Sequence, residues 1–286
     1  MSKIITIPSS MDEIKKTKNI TDGFIIGIKG LSTNVNFYIE YDHLDILSEL
    51  CNKDIFIALN KNMHNDDLER VKKVLIELDN YKIKGVLYYD VAVLNIYRSL
   101  KLKYDLVWGC EHYATNYNTI NYWHSFGVNY TYLSSDITLS EIIDITHNTN
   151  SKLMVNLFGY LPMFVSKRHI VKNYLNYFNL SDESDTNYME KEGHIYPIID
   201  DDIGTRVYSS NILNGIKSAP LLDVDYIVLN SFDIDIENFV IVINLFKDVN
   251  EFNALEFEEK INSMFTNTDR GFLDTKTIYR VKKNEK

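Results

Sequence analysis

The chain has 286 residues, of which 45% are hydrophobic and 24% charged, with only 4 Pro, 11 Gly and 2 Cys. This composition excludes collagen-like, low-complexity and disulfide-framework proteins. The net charge of −10 argues against a dedicated duplex-binding protein, because neutralising phosphates requires a concentrated basic face. Cys51 and Cys110 are too few for a four-cysteine metal or iron–sulfur site, and they are typical of a reducing compartment. No apolar run approaches the roughly 20 residues of a membrane span, so we expect a cytoplasmic protein that does not contact membranes.

Short apolar runs alternate with segments of helical periodicity through most of the chain. Eight runs predict strands, at residues 4–7, 23–28, 55–59, 85–89, 105–108, 130–133, 153–157 and 226–229. Helical periodicity predicts helices, at residues 42–51, 66–78, 92–100, 117–126, 141–146 and 237–246. Apolar strands that are each followed by a helix indicate parallel strands buried on both faces. The prediction is therefore an α/β fold, a (β/α)8 TIM-like barrel, with a doubly wound open sheet as the alternative.

The alternation of strands and helices stops after the seventh predicted strand. Residues 195–199 and 205–208 flank an Asp- and Gly-containing turn and predict a β-hairpin. We expect residues 159–223 to form an insertion over the barrel mouth, where loops commonly carry function. The predicted organisation is one barrel domain, 1–265, followed by a basic C-terminal segment, 266–286, that packs by its apolar side chains and ends in mobile residues.

Polar side chains follow most of the predicted strands and are candidates for a site at the barrel mouth. Active sites of such barrels lie where the strands end, and helix caps need the same residue types. The candidates for catalytic roles are Asn60, Asp90, Glu111, His112, Asn116, Ser134 and Asp136. No nucleophile elbow and no zinc-binding His-Glu-x-x-His motif is present, and no metal ligands are predicted.

A basic and aromatic segment follows the seventh predicted strand. Lys167, Arg168, His169 and Lys172 lie among Phe158, Tyr160, Phe164, Tyr174 and Tyr177. Basic side chains interleaved with aromatic rings suit single-stranded or looped RNA, which binds by charge and stacking. The alternative is a helix with a solvated basic face and aromatic residues in the core.

The same segment, from Phe158 to His169 with Lys172 to Leu175, resembles the collagenase-like peptidase family U32. The resemblance covers most of the chain, including residues 57–60, 85–90, 133–142, 196–200 and 268–283. It implies a barrel fold and one of two activities. Members are described as peptidases of unassigned catalytic mechanism, or as oxygen-independent hydroxylation factors that act on RNA bases or on ubiquinone precursors.

The chain departs from the hydroxylating members of this family at the cysteines that would hold an iron–sulfur cluster. Pro162 and His169 stand at the two signature positions, and no later cysteine pair follows. The family's usual Arg-Glu after the sixth strand is also replaced, by Ser135 and Asp136. We therefore expect no cofactor in this chain. The resemblance implies a peptidase, or alternatively a tRNA base hydroxylation factor or a non-catalytic subunit. Its expected partners are a tRNA or peptide substrate and a larger, cysteine-bearing relative in a hetero-oligomer.

Overall fold

Eight parallel strands form a closed barrel in this computed structural model, which describes residues 2–110, 112–181 and 186–275. The strands of the protein, in chain order, are β1 (Lys3–Ile7), β2 (Gly23–Ile28), β3 (Tyr38–Ile39), β4 (Asp54–Leu59), β5 (Gly85–Tyr88), β6 (Asp105–Trp108), β7 (Tyr130–Tyr132), β8 (Lys152–Ser166), β9 (Thr186–Lys191), β10 (His194–Asp201), β11 (Gly204–Asn214), β12 (Tyr226–Asn230) and β13 (Thr268–Asp269). The ring runs β1, β2, β4, β5, β6, β7, β8 and β12, and β12 pairs with both β8 and β1. This closure confirms the predicted (β/α)8 barrel and excludes the open sheet, which would leave β1 or β12 with a free edge.

The barrel strands are apolar throughout because both of their faces are buried. In β4, Phe56 and Ala58 point into the barrel, where they pack with Ile25 and Leu87. Ile55 and the alternate residues of β4 face outward and pack against the surrounding helices. Two buried faces on each strand account for the near-continuous apolar runs of the sequence.

Helices surround the barrel and return the chain from one strand to the next. They are α1 (Met11–Thr17), α2 (Leu68–Leu78), α3 (Val91–Ser99), α4 (Tyr117–Ser125), α5 (Leu139–Asn148), α6 (Ile170–Phe178), α7 (Ile236–Asp248) and α8 (Ala254–Met264), with 3-10 helices at Tyr41–Leu50, Asn65–Asp67 and Ile216–Leu221. The helix predicted at 42–51 is thus a 3-10 helix, and α8 is an element that the sequence analysis did not predict. In the part of the chain that the structure describes, no helix combines the length and apolar character needed to cross a membrane.

Strand β8 is much longer than predicted and continues beyond the barrel to Ser166. Its first half pairs with β7 and β12, and its second half pairs antiparallel with β11. The change of partner occurs at Gly159, whose φ is +109° and where a Cβ would lie 2.3 Å from the carbonyl oxygen of Asn230. The sequence analysis ended this strand at residue 157. The backbone beyond it is paired with a strand about 40 to 55 residues later, which no local pattern reveals.

The insertion after the seventh barrel strand is an antiparallel layer of β9, β10, β11 and the outer half of β8, with α6 packed against β10 and β11. The predicted hairpin is confirmed as β10 and β11, in which Asp201 pairs with Gly204. Strand β9, which the sequence analysis did not predict, is an edge strand whose side chains are mostly exposed. Its pairing with β10 supplies the structure that its own composition does not indicate.

A buried arginine links this layer to the barrel. The guanidinium of Arg206 in β11 donates to Asp201 Oδ2 at 2.5 Å and to the hydroxyl of Tyr38 in β3 at 3.1 Å. Strand β3 in turn pairs with the barrel strand β2. The insertion is therefore held at the rim of the barrel by polar contacts as well as by the shared strand β8.

The described part of the C-terminal segment also packs near the barrel mouth. Strand β13 pairs with β11, and Leu273 is buried. The predicted basic and mobile residues from 276 to 286, with Ile278 and Tyr279, lie outside the described residues. The division into a barrel of 1–265 and a tail of 266–286 stays a prediction.

Candidate functional site

A cavity of about 470 Å³ opens at the carboxyl ends of the barrel strands. Its floor is apolar and includes Ile7, Ile25 and Leu87. Its wall carries five asparagines, Asn34, Asn60, Asn156, Asn211 and Asn230. The insertion and the C-terminal segment contribute the roof, with Leu161, Tyr196, Ser209 and Phe272 among the lining residues. Concave sites with an apolar floor and a few polar groups are typical ligand sites, and this is the end of a barrel where such sites lie.

Hydrogen bonds between the barrel strands and loops hold the asparagines in place. Asn230 Oδ1 accepts from Asn36 Nδ2 at 2.7 Å and from the backbone N–H of Phe232 at 3.0 Å. Asn60 Oδ1 accepts from the backbone N–H of Thr33 at 2.9 Å. Within the described ranges, the Oδ1 of Asn36 and the Oγ1 of Thr33 are buried without a hydrogen-bond partner. The wall of the cavity and the shell behind it therefore offer neutral donors and acceptors in fixed positions.

A histidine and an aspartate form a hydrogen-bonded pair in the same cavity. His112 Nδ1 lies 2.9 Å from Asp136 Oδ2, and the two side chains are 61% and 41% exposed. The loops that carry them are tied together, because the backbone N–H of Ser134 donates to the carbonyl of Ala114. Ser134 Oγ in turn accepts from the backbone N–H of Asp136 at 3.1 Å. The pair is thus a built feature at the ends of β6 and β7.

Three of the seven predicted catalytic candidates line the cavity, namely Asn60, His112 and Asp136. Ser134 is buried and is not among the lining residues. Asp90 is the N-cap of α3, where it accepts from the N–H of Ala92. Asn116 is likewise the N-cap of α4 and accepts from the N–H of Thr119. Glu111 lies outside the described residues. Cap and cavity residues occupy the same place in the sequence, directly after a strand, so local sequence does not separate them.

Sequence analysis missed the contributions of Asn34, Asn156 and Asn211 to the cavity. One of them carried a usable signal, because Asn156 is the single polar residue within the apolar run 153–157. An amide inside a strand buried on both faces needs a partner or a ligand. Asn34 and Asn211 lie in loop and insertion segments that meet only in the folded protein.

The predicted basic residues lie on the insertion and do not line the cavity. Lys167, Arg168 and Lys172 are exposed at the junction of β8 and α6. His169 Nδ1 lies 2.8 Å from Asp200 Oδ1, and Asp200 Oδ2 accepts from the backbone N–H of Lys172 at 3.0 Å. Burial acts to raise the pKa of Asp200, but the hydrogen bonds from Lys172 N–H and His169 outweigh it, so this pKa lies below its ordinary value.

Helix α6, which follows the basic residues, has no buried residue. Tyr174 and Phe178 are more than half exposed, and Tyr177 is 80% exposed. The alternative, with aromatic side chains packed in the core, is therefore wrong for this helix, because its contacts with β10 and β11 leave every one of its residues at least partly exposed. Exposed rings and exposed cations lie side by side on the insertion.

The two cysteines lie at opposite ends of the barrel. Cys51 is exposed and precedes β4 at the amino ends of the strands, whereas Cys110 is buried and follows β6 at the carboxyl ends. The two thiols of this chain therefore cannot bind the same metal cluster. Among the described residues there is also no group of three or more His, Cys, Asp or Glu side chains placed to hold a metal ion.

The fold and the cavity together define a (β/α)8 barrel protein with an open cavity at the carboxyl ends of its strands. The sequence matches peptidase family U32 over residues 18–186, which is more than half of the chain. The protein therefore belongs to peptidase family U32, and the resemblance carried by residues 158–175 is confirmed.

Two known proteins show how far this similarity extends. The chain is 24% identical over 311 aligned residues to tRNA hydroxylation protein P2 of Bacillus subtilis (strain 168), and the alignment covers 96% of this chain and 98% of that protein. A solved structure of a U32 peptidase superposes with a TM-score of 0.51 at 10% identity, covering 80% of this chain and 92% of that chain. At this identity the solved structure supports the fold alone.

Proposed function

We propose that this protein takes part in the hydroxylation of a tRNA base and that the barrel-mouth cavity holds the base. The observation that carries the proposal is the lining of the cavity. Five asparagine amides stand above an apolar floor, and none of the described lining residues is Lys or Arg. A phosphate would find no counter-charge there, whereas a neutral heterocycle would find hydrogen-bond partners at its edges and apolar contact on its faces. The full-length similarity to a tRNA hydroxylation protein supports this choice of ligand.

The phosphates of the same tRNA need cations, and the insertion presents them. We propose that Lys167, Arg168, His169 and Lys172 contact the RNA backbone beside the exposed rings of α6. The protein as a whole carries a net charge of −10, which repels RNA and confines binding to a local basic surface. Single-stranded loops are bound in this way, by charge on the backbone and by stacking on the bases. Because the substrate is tRNA, the proposal also places the protein in the cytoplasm.

The primary test is nucleoside mass spectrometry of total tRNA from a strain in which the gene is deleted. We expect a hydroxylated pyrimidine to disappear and to return when the wild-type gene is restored. An unchanged nucleoside profile in the deletion strain would contradict the proposed function.

A second test addresses the RNA contacts through charge reversal. Arg168→Glu with Lys172→Glu is expected to abolish tRNA binding in a gel-shift assay at moderate salt, since each lost phosphate contact also removes counterion release. The matched control is Lys72→Glu with Lys73→Glu, which makes the same charge change on the exposed face of α2. Equal RNA retention by the two double variants would place the RNA elsewhere.

We also propose that the protein works with a larger, cysteine-bearing relative. Its own Cys51 and Cys110 lie at opposite ends of the barrel, so any four-cysteine cluster that the hydroxylation needs would be held by that relative. Co-purification from cells is expected to recover a hetero-oligomer that contains this relative. Recovery of the protein as a monomer without it would remove this part of the proposal.

Peptide-bond cleavage is the second candidate function, because Ser135 lines the same cavity as the His112–Asp136 pair. A serine peptidase would need the Ser135 hydroxyl to reach the free nitrogen of His112. The purified protein is then expected to cleave gelatin, casein or a peptide library, and Ser135→Ala to abolish the cleavage. No cleavage of any of them, with or without added metal, would reject this candidate.

A further inference from the structure

We propose that His112 is a catalytic base that takes a proton from the ligand in the barrel-mouth cavity, with Asp136 as its positioning residue. The inference rests on the proposed function for the identity of the ligand. His112 differs from the rest of the cavity wall, which consists largely of amides and apolar groups, because its imidazole can accept a proton.

The geometry of the pair determines which nitrogen can accept a proton. An ionised carboxylate only accepts hydrogen bonds, so the contact of 2.9 Å between Asp136 Oδ2 and His112 Nδ1 places the ring proton on Nδ1. The lone pair then resides on Nε2, which makes no hydrogen bond to any of the described residues. An imidazole held in this tautomer by a carboxylate is a competent general base.

The charges around the cavity favour the product of that proton transfer. The other carboxylate in the lining is Asp269, whose oxygens accept from Asn211 Nδ2 at 2.9 Å and from the backbone N–H of Gly271 at 2.9 Å. Asp136 is in direct contact with His112, Asp269 lies in the same lining, and none of the described lining residues is Lys or Arg. A cation that develops during the reaction is therefore stabilised by groups already in place.

Hydroxylation of a base gives such a residue a defined task. The step needs a co-substrate of the oxygen-transfer class, a two-electron oxidant whose transferred oxygen is bound to a leaving group. The π electrons of a ring carbon attack this oxygen and form the C–O bond, and the bond between the oxygen and its donor breaks with its electron pair on the donor, which is thereby reduced. The C–H bond of the same carbon then breaks, its electron pair returns to the ring, and an N–H bond forms at His112 Nε2. The imidazolium passes the proton to water when the modified base leaves, which restores the neutral ring.

The test uses the full-length protein added to an extract of the deletion strain, with tRNA from the same strain and a mass-spectrometric time course of the hydroxylated nucleoside. His112→Gln keeps a donor to Asp136 but cannot accept a proton at neutral pH. We expect its rate to fall about 10²- to 10⁴-fold while its tRNA affinity stays within about twofold of wild type. His43→Gln, an exposed histidine on the outer 3-10 helix, is the matched control and is expected to act at the wild-type rate.

Two substitutions of Asp136 test whether this residue positions the imidazole of His112 or only stabilises the fold. Asp136→Asn presents an amide nitrogen to Nδ1 and favours the wrong tautomer, so its rate is expected to fall about tenfold or more, and Asp136→Glu to restore part of it. Because the two residues act as a unit, the double variant His112→Gln with Asp136→Asn is expected to be no slower than His112→Gln alone. Added imidazole is expected to accelerate His112→Ala, since free imidazole supplies the missing acceptor.

The outcomes separate this inference from the proposed function. If wild-type protein restores no hydroxylated nucleoside to the extract, the proposed function fails, and the base assigned to it fails with it. If wild-type protein restores the nucleoside and His112→Gln does so at the same rate, only the assignment of His112 is overturned. A loss of tRNA affinity that matches the loss of rate in His112→Gln would make the residue a binding group and would also overturn the proposal.

Discussion

The ion pair between Arg206 and Asp201 leads to an asymmetric prediction, because its two members are buried to different extents. The Arg206 side chain is 2% exposed and that of Asp201 is 36% exposed. Burial acts to lower the pKa of the guanidinium, but Tyr208, Tyr38 and Asp201 outweigh it, so the pKa of Arg206 lies above its ordinary value. Arg206 is charged in the folded protein, as a guanidinium in a protein always is.

Removing the charge of Asp201 leaves that guanidinium buried without a counter-ion. Removing one member of a buried ion pair lowers the free energy of unfolding by about 3–5 kcal/mol. Asp201→Asn is expected to lose about 3 kcal/mol, at the lower end of this range, because the new amide oxygen still accepts a hydrogen bond from Nη2 of Arg206. Arg206→Met instead removes the buried charge together with its Nε, which has no hydrogen-bond partner among the described residues. The carboxylate left behind reaches water, so this variant loses about 1 kcal/mol, mainly from the hydrogen bond to Tyr38.

The assay is urea unfolding followed by far-UV circular dichroism and tryptophan fluorescence, whose transitions should coincide if the barrel and insertion unfold together. The expected result is a free energy of unfolding about 2 kcal/mol lower for Asp201→Asn than for Arg206→Met. A loss for Arg206→Met equal to or greater than that for Asp201→Asn would refute the argument from unequal burial.

Two further predictions concern the insertion and its junction with the barrel. Asp200→Asn should lower the free energy of unfolding at pH 7 by about 1–3 kcal/mol. The pKa of Asp200 is below its ordinary value of 3.8, so its stabilisation is complete above that pH and is lost as the pH falls through the lowered native pKa. Urea titrations should show a smaller difference in the free energy of unfolding between Asp200→Asn and wild type at pH 3 than at pH 7. An equal difference at the two pH values would contradict the stabilising role of the Asp200 carboxylate. Gly159→Ala should cost about 3 kcal/mol or more, because its Cβ would meet the carbonyl of Asn230 at 2.3 Å. Gly193→Ala, at φ +80° with nothing within 4 Å, should cost only about 1 kcal/mol, and similar losses for the two would exclude the close contact as the cause.

The barrel could be predicted because its signals are local. Each barrel strand is a short apolar run buried on both faces, and the return helices carry apolar residues at helical spacing, as in Val71, Val74 and Leu78 of α2. The start of α5 is also a local feature, because the capping box between Thr138 and Glu141 lies within four residues. These local signals left a closed barrel and an open sheet as alternatives, and the pairing of β12 with both β1 and β8 decides for the barrel.

The insertion was predicted only in part for the opposite reason. The β10–β11 hairpin has a turn signal between its strands. The outer half of β8 instead pairs with β11, which lies far along the chain, and the edge strand β9 pairs with β10 on one side only. A strand with little buried surface needs no alternation of apolar and polar residues, so its composition resembles that of a loop.

The sequence by itself determined the family, the barrel and the end of the barrel where polar residues collect, because apolar periodicity, helix caps and the 158–175 segment are all local patterns. Only the tertiary structure decided which of those polar residues face a common space. Asp90 and Asn60 both follow barrel strands, yet the first caps a helix and the second lines the cavity. His112 and Asp136 meet across 24 residues of chain because the carboxyl ends of the neighbouring strands β6 and β7 are adjacent in the closed barrel. The sequence gives the chemical type of each side chain. Which side chain it contacts depends on strand pairing and barrel closure, which are long-range interactions.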